Sequence, residues 1–81
     1  MVDHVVLSAN ESIMLDTTNN TITVVLVDAG SVQIKNENDV IFATLQDAFE
    51  MFTLAIGTGV FTAKNTGSSD VNILVVREFI Y

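Results

Sequence analysis

Nucleophilic catalysis needs a hydroxyl or thiol activated by a base, and this sequence offers little from which to build one. It contains no cysteine and one histidine, His4, near the start of the chain with no sequence neighbour to serve as its partner. His4 therefore reads as a surface or edge-strand residue. The lack of cysteine also excludes disulfides and thiolate zinc sites.

Paired carboxylates are the other common route to acid–base work. Here Asp16, Asp28, Glu37, Asp39, Asp47 and Asp70 fall in turn-like sequence, where an aspartate hydrogen-bonds its own backbone. Glu11, Glu50 and Glu78 read as outward strand positions that discourage edge-to-edge pairing. Asn36-Glu37-Asn38-Asp39 is oxygen-rich in the manner of a calcium loop. It lacks the sixth-position glycine and distal glutamate of an EF-hand, which leaves a turn with room for a weak surface cation at most. Gly57-Thr58-Gly59 is too short, and too poor in flanking basic residues, to cradle a phosphate, and reads as a tight turn. No catalytic residue, metal ligand or cofactor is expected.

The elements that carry these residues are strands. Val, Ile and Thr recur throughout, there is no proline, and short apolar runs alternate with Asn, Asp, Ser and Gly clusters. Such residues suit a pleated, half-buried surface, and the spacing predicts a sandwich or barrel. Strands are expected near 4–8, 11–16, 21–28, 31–36, 39–44, 50–56, 60–65 and 71–79, in a single domain over residues 1–81. Ile22, Val24 and Leu26 form one face of the third strand. Asp28-Ala29-Gly30 turns the chain, with Gly30 free to take positive φ, and Val32 and Ile34 point inward on the return. One stretch is ambiguous: Thr44-Leu45-Gln46-Asp47 resembles a capping box, so a helical turn near 45–49 is expected to lead into the sixth strand.

Strands 22–27, 40–45 and 71–76 are apolar on both faces. A thin sandwich should be wet on one face of each sheet, so a second apolar face calls for a cover. With no helices to supply it, another subunit is the economical choice. Val25, Val27, Leu74 and Val76 are the expected contact residues, together with the C-terminal Phe79, Ile80 and Tyr81, since aromatic side chains favour interfaces. Apolar residues make up 49% of the 81-residue chain, which points the same way: a small domain must show much of its surface to water.

Charge narrows the partners. Ten acidic residues face Lys35, Lys64 and Arg77, for a net charge of −7. Nucleic acid and anionic membrane both require clustered cations, so neither is expected. No segment approaches the roughly 20 apolar residues of a membrane helix. Met1-Val2-Asp3-His4 lacks the basic start of a signal peptide, and synthesis in a cytoplasm is expected.

From Phe52 through Gly57-Thr58-Gly59, Val60 to Asn65, Asn65-Thr66-Gly67 and on to Val76, the sequence resembles the closing half of a cupin-type jelly roll. Val25 to Ile34, around Gly30, resembles that fold's first hairpin. The resemblance implies an all-β jelly roll or β-sandwich of about eight short antiparallel strands. Metal-binding cupins carry histidines in both motifs, and neither segment here has one, so no ligand carries over.

A metal-free, cysteine- and proline-free minimal jelly roll is similar in character to the small decoration, or cement, proteins of tailed-phage heads. That resemblance implies a virion structural protein made in the host cytoplasm: a homo-oligomer, with a trimer favoured, bound to the major capsid or another virion protein. The alternative expectation is a jelly-roll module for a small molecule or carbohydrate, with Phe42, Phe52 and Phe61 lining its mouth. A cupin-like enzyme ranks third.

Overall fold

A computed structural model describes residues 1–79, and among these it contains eight strands and no helix. They are β1 (Val2–Leu7), β2 (Ser12–Asp16), β3 (Asn20–Leu26), β4 (Val32–Asn36), β5 (Ile41–Leu45), β6 (Met51–Leu54), β7 (Val60–Asn65) and β8 (Val71–Phe79). Each expected strand is present, within a few residues of its expected ends.

Pairing follows one rule. β1 pairs with β8, β2 with β7, β3 with β6 and β4 with β5, all antiparallel. The chain is thus a long hairpin folded about the Asn36–Val40 turn. Two further antiparallel pairings, β3 with β8 and β4 with β7, roll it into two sheets, β1-β8-β3-β6 and β2-β7-β4-β5. This is the jelly-roll arrangement, two four-stranded antiparallel sheets packed face to face.

The alternation of residues along the strands decides what lies between the sheets. Ile22, Val24 and Leu26 of β3 and Val71, Ile73 and Val75 of β8 are buried, and they meet Val32, Ile34, Phe61, Ala63, Leu15 and Leu45 from the other sheet. A slip of one residue would move each set to the solvent side, so the core locks the register.

The helical turn expected near 45–49 is absent. Leu45 ends β5, and the chain reverses through a turn closed by a Glu50 N–H to Asp47 C=O bond, with Phe49 at φ 69°. Glu50 Oε1 accepts the amides of Gln46 and Asp47 at 2.9 and 2.7 Å, which satisfies the loop without helical bonds. The helical spacing of Leu45, Phe49 and Phe52 has no helix behind it: Leu45 is buried and Phe49 is 74% exposed.

Gly30 also differs from expectation, because its φ is not positive. Its requirement is closeness. A Cβ there would stand 2.5 Å from Val71 Cγ1, where the β3–β4 corner crosses β8. Positive φ occurs instead at Gly57 and Gly59, in the turn that was read as tight.

Two buried polar side chains tie the ends of the roll. Asn65 Nδ2 donates to Leu7 C=O at 2.9 Å and Ser69 C=O at 2.7 Å, and its Oδ1 accepts the Gly67 amide at 2.9 Å. At the opposite end Thr17 Oγ1 donates to Gly59 C=O and accepts the Gly59 amide, at 2.6 and 2.9 Å.

Candidate interaction face

The register places side chains on the outside of the β1-β8-β3-β6 sheet in rows. One row is His4, Leu74, Val25 and Met51; the next is Val2, Val76, Thr23 and Thr53. Val6 and Asn72 begin a third, with Val27 alongside through its amide bond to Asn72 C=O. These three rows hold no carboxylate, lysine or arginine. The two threonines satisfy each other, with their hydroxyls 2.9 Å apart.

Four of the residues expected at an interface, Val25, Val27, Leu74 and Val76, thus share one face. Val2, Val6 and Met51 extend it and were not anticipated. They are its most open apolar members, at 60%, 51% and 61% exposure. The alternation of β1 around His4 was the available signal, obscured by the strand's position at the start of the chain. Phe79 closes β8 opposite Asn20; Ile80 and Tyr81 lie outside the described residues, as does the Phe79 side chain.

The other outer surface is different in kind. On β2-β7-β4-β5 the rows read Ser12, Lys64, Gln33, Thr44 and Met14, Thr62, Lys35, Ile41. Both lysines stand there. The third cation, Arg77, is bound to Asp3 at 2.6 Å. The sandwich has one wet, partly cationic face and one largely apolar face, whose carboxylates stand at its two ends, Glu78 opposite Thr21 and Asp28 against Asn72.

A second feature lies between edge strands β5 and β6. The β4–β5 register shifts at Ile34/Lys35, leaving Phe42 without a partner on β4. Phe42 turns its ring edge-on to Phe61, with centroids 5.0 Å apart and planes at 84°. With Phe52 and Leu54 these rings line a hollow of about 200 Å³. The three phenylalanines expected at a mouth do come together. The space is below the roughly 300–1,000 Å³ of ordinary ligand pockets.

The titratable groups are occupied otherwise. His4 Nε2 donates to Asn72 Oδ1 at 2.8 Å, and Asn72 Nδ2 donates to Asp28 Oδ2 at 2.6 Å, on an exposed rim. The Thr18 hydroxyl and amide both donate to Asp16 Oδ1 and hold that carboxyl below its ordinary range. Asp47 and Gln46 amides do the same for Glu50. Of the three glutamates expected at outward strand positions, Glu78 takes one, exposed on the interior strand β8, whereas Glu11 and Glu50 sit in loops, where Glu11 accepts from Ser8. None lies on an edge strand. In the oxygen-rich turn, Asn36 Oδ1 accepts the Asn38 and Val40 amides. Among the described residues no three His, Cys, Asp or Glu side chains gather as a metal site.

No protein-family model, curated protein or solved structure matches this chain.

Proposed function

We propose that the chain is a non-enzymatic virion structural protein, a head decoration or cement unit that self-associates and seats the outer face of its β1-β8-β3-β6 sheet on the major capsid protein. The observation that carries the docking surface is the contrast between the two outer faces. One has three rows without a formal charge, and the other carries both lysines. An exposed apolar sheet face signals an interaction site, because water wets it poorly and a partner can cover it. The virion context comes from the sequence's likeness in character to small decoration proteins, which also implies a trimer. The mechanism is stapling: burial against two neighbouring capsid subunits raises their barrier to separation. Catalysis is left out because His4 meets only an amide oxygen, while the shifted carboxyls Asp16 and Glu50 serve loop hydrogen bonds.

The test is binding to heads from the genome that encodes the chain, prepared without it. Saturable binding and a higher disruption temperature are expected, both lost in Val25→Glu and Leu74→Glu. Heads that bind no wild-type protein would end the reading. Undiminished binding by both variants would move the seat elsewhere.

One observation favours a second reading, a binding module for a small apolar ligand: the convergence of Phe42, Phe52 and Phe61 on one hollow. A volume near 200 Å³ suits a single ring or short alkyl chain. Benzene- and indole-sized probes should then raise the melting temperature of the wild type and leave Phe42→Ala unmoved. Sugars are disfavoured, since the chain has no tryptophan to stack on them.

A further inference from the structure

Four strands end the two sheets: β1 and β6 in one, β2 and β5 in the other. Three of them are blunted. β6 has only four residues, β5 carries the register shift at Phe42, and β2 ends on the charged Asp16. Short length, bulges and charge are the usual protections of an open edge. β1 has none of these. It is six residues long, pairs with β8 without a register break, and contains no glycine or proline. Its one charged side chain, Asp3, is held by Arg77.

The direction of its backbone groups can be read from one end. Met1 and Arg77 exchange hydrogen bonds, amine to carbonyl at 2.9 Å and amide to carbonyl at 2.8 Å. Hydrogen-bonded pairs alternate along an antiparallel ladder. Asp3, Val5 and Leu7 therefore bond inward to β8, while Val2, His4 and Val6 turn their N–H and C=O groups outward. The free run stops at Ser8, whose N–H donates to Glu11 Oε1 and whose C=O accepts the Glu11 amide. Among the described residues no strand lies beyond β1.

We propose that β1 is a self-pairing edge, along which two copies of this chain join antiparallel about a two-fold axis at His4. In this register Val2 faces Val6 of the second copy, and His4 faces His4 of the second copy. All three outward residues of each strand form bond-exchanging pairs, about six N–H···O bonds in total. A shift by two residues in either direction would leave two such pairs in place of three. The contact is isologous, so it closes at two copies.

The side chains agree with this register. Val2 and Val6, more than half exposed in one copy, become direct cross-strand neighbours on the outer face, at Cβ separations of about 5 Å. The join also continues the apolar face into an eight-stranded sheet. Four strands at roughly 4.8 Å by about 17 Å of strand give on the order of 300 Å² per copy, and two copies twice that. A standard interface takes about 800 Å² from each partner, so the pair approaches a seat that a single copy does not provide. This last step rests on the docking reading above, whereas the edge contact stands without it. The symmetry is two-fold, in place of the three-fold implied by the resemblance.

The test is the solution mass of the full chain over a concentration series, by light scattering and sedimentation. A species of twice 8.8 kDa is expected. His4→Pro should weaken it at least tenfold, because proline deletes an outward N–H and leaves the ladder to β8 intact. Val6→Lys, which places like charges along the join, should act the same way and covers the case of a proline variant that does not fold. In the wild type, amide exchange at Val2, His4 and Val6 should slow as concentration rises. A mass of one copy or three at every concentration overturns the proposal, as does a dimer indifferent to both folded variants. A dimer that ignores heads would sink the docking reading alone, and head binding by a strict monomer would sink this one alone.

Discussion

Asn65 is fully buried and spends its whole amide on backbone groups, joining the end of β1 to the β7–β8 loop. Alanine there would strip a partner from two carbonyls and one N–H, a loss that is costly away from water. The expected loss is about 2–4 kcal/mol, visible as a melting point lower by roughly 10–25 °C in a domain this small. Asn65→Asp should do no better at neutral pH, since a carboxylate cannot donate to Leu7 and Ser69. A melting point within a few degrees of wild type for both variants would refute the keystone role. Thr17→Val should cost about 1–3 kcal/mol by stranding the Gly59 amide, and Thr17→Ser much less, because serine keeps the hydroxyl. The two shifted carboxyls predict the acid limb. Thr18 holds Asp16 low and the Asp47 and Gln46 amides hold Glu50 low in the folded chain. As pH falls, the unfolded chain takes up protons first. Their contribution is complete above the ordinary carboxylate range near about 4 and disappears as pH drops through the lowered folded values. Denaturant titrations across that window should show a shallower slope in Glu50→Gln, and an unchanged slope would remove Glu50 as a contributor.

Among the elements, Gly30→Ala separates two reasons for a glycine. If conformational freedom were the need, the penalty would not depend on Val71. Since the conflict is a Cβ 2.5 Å from Val71 Cγ1, Gly30→Ala should cost about 1–3 kcal/mol as overpacking. Combining it with Val71→Ala should cost less than the two singles together, and strict additivity in denaturant melts would contradict the steric account. The same position shows how far the sequence was legible. Alternation alone grouped Ile22, Val24 and Leu26 on one strand face and pointed Val32 and Ile34 inward, because burial of one strand face leaves a period of two in the residues. It identified Val25, Val27, Leu74 and Val76 as a second apolar set for the same reason. That these four lie on one sheet depends on β3 and β8 being neighbours, a pairing across nearly fifty residues that no local pattern encodes. Close approach at Gly30, the guardless edge of β1 and the gathering of Phe42, Phe52 and Phe61 are consequences of the same long-range pairing. The 45–49 stretch misled because spacing cannot separate a short helical turn from a loop whose amides are met by one glutamate.

At the scale of the molecule, charge and apolar surface oppose each other. Each copy carries −7, while Lys35 and Lys64 are confined to the face away from the apolar rows. Two copies approaching along β1 or over the apolar face bring together surfaces with no ion pair to offer and a net repulsion to overcome. Self-association driven by charge pairs would weaken with salt; association of this kind should strengthen. Raising sodium chloride from about 0.01 M to about 0.5 M shortens the screening length from roughly 30 Å to a few ångströms. The repulsion between two copies is removed over that range, while backbone pairing and valine contacts are little affected. Dissociation constants from sedimentation equilibrium should therefore fall several-fold across the series. The effect should be larger in Lys35→Gln/Lys64→Gln, whose net charge is more negative, although neither lysine lies on the apolar face. Association that weakens with salt would mean that charge pairs hold the copies together, which would place the contact on the lysine-bearing sheet and away from β1.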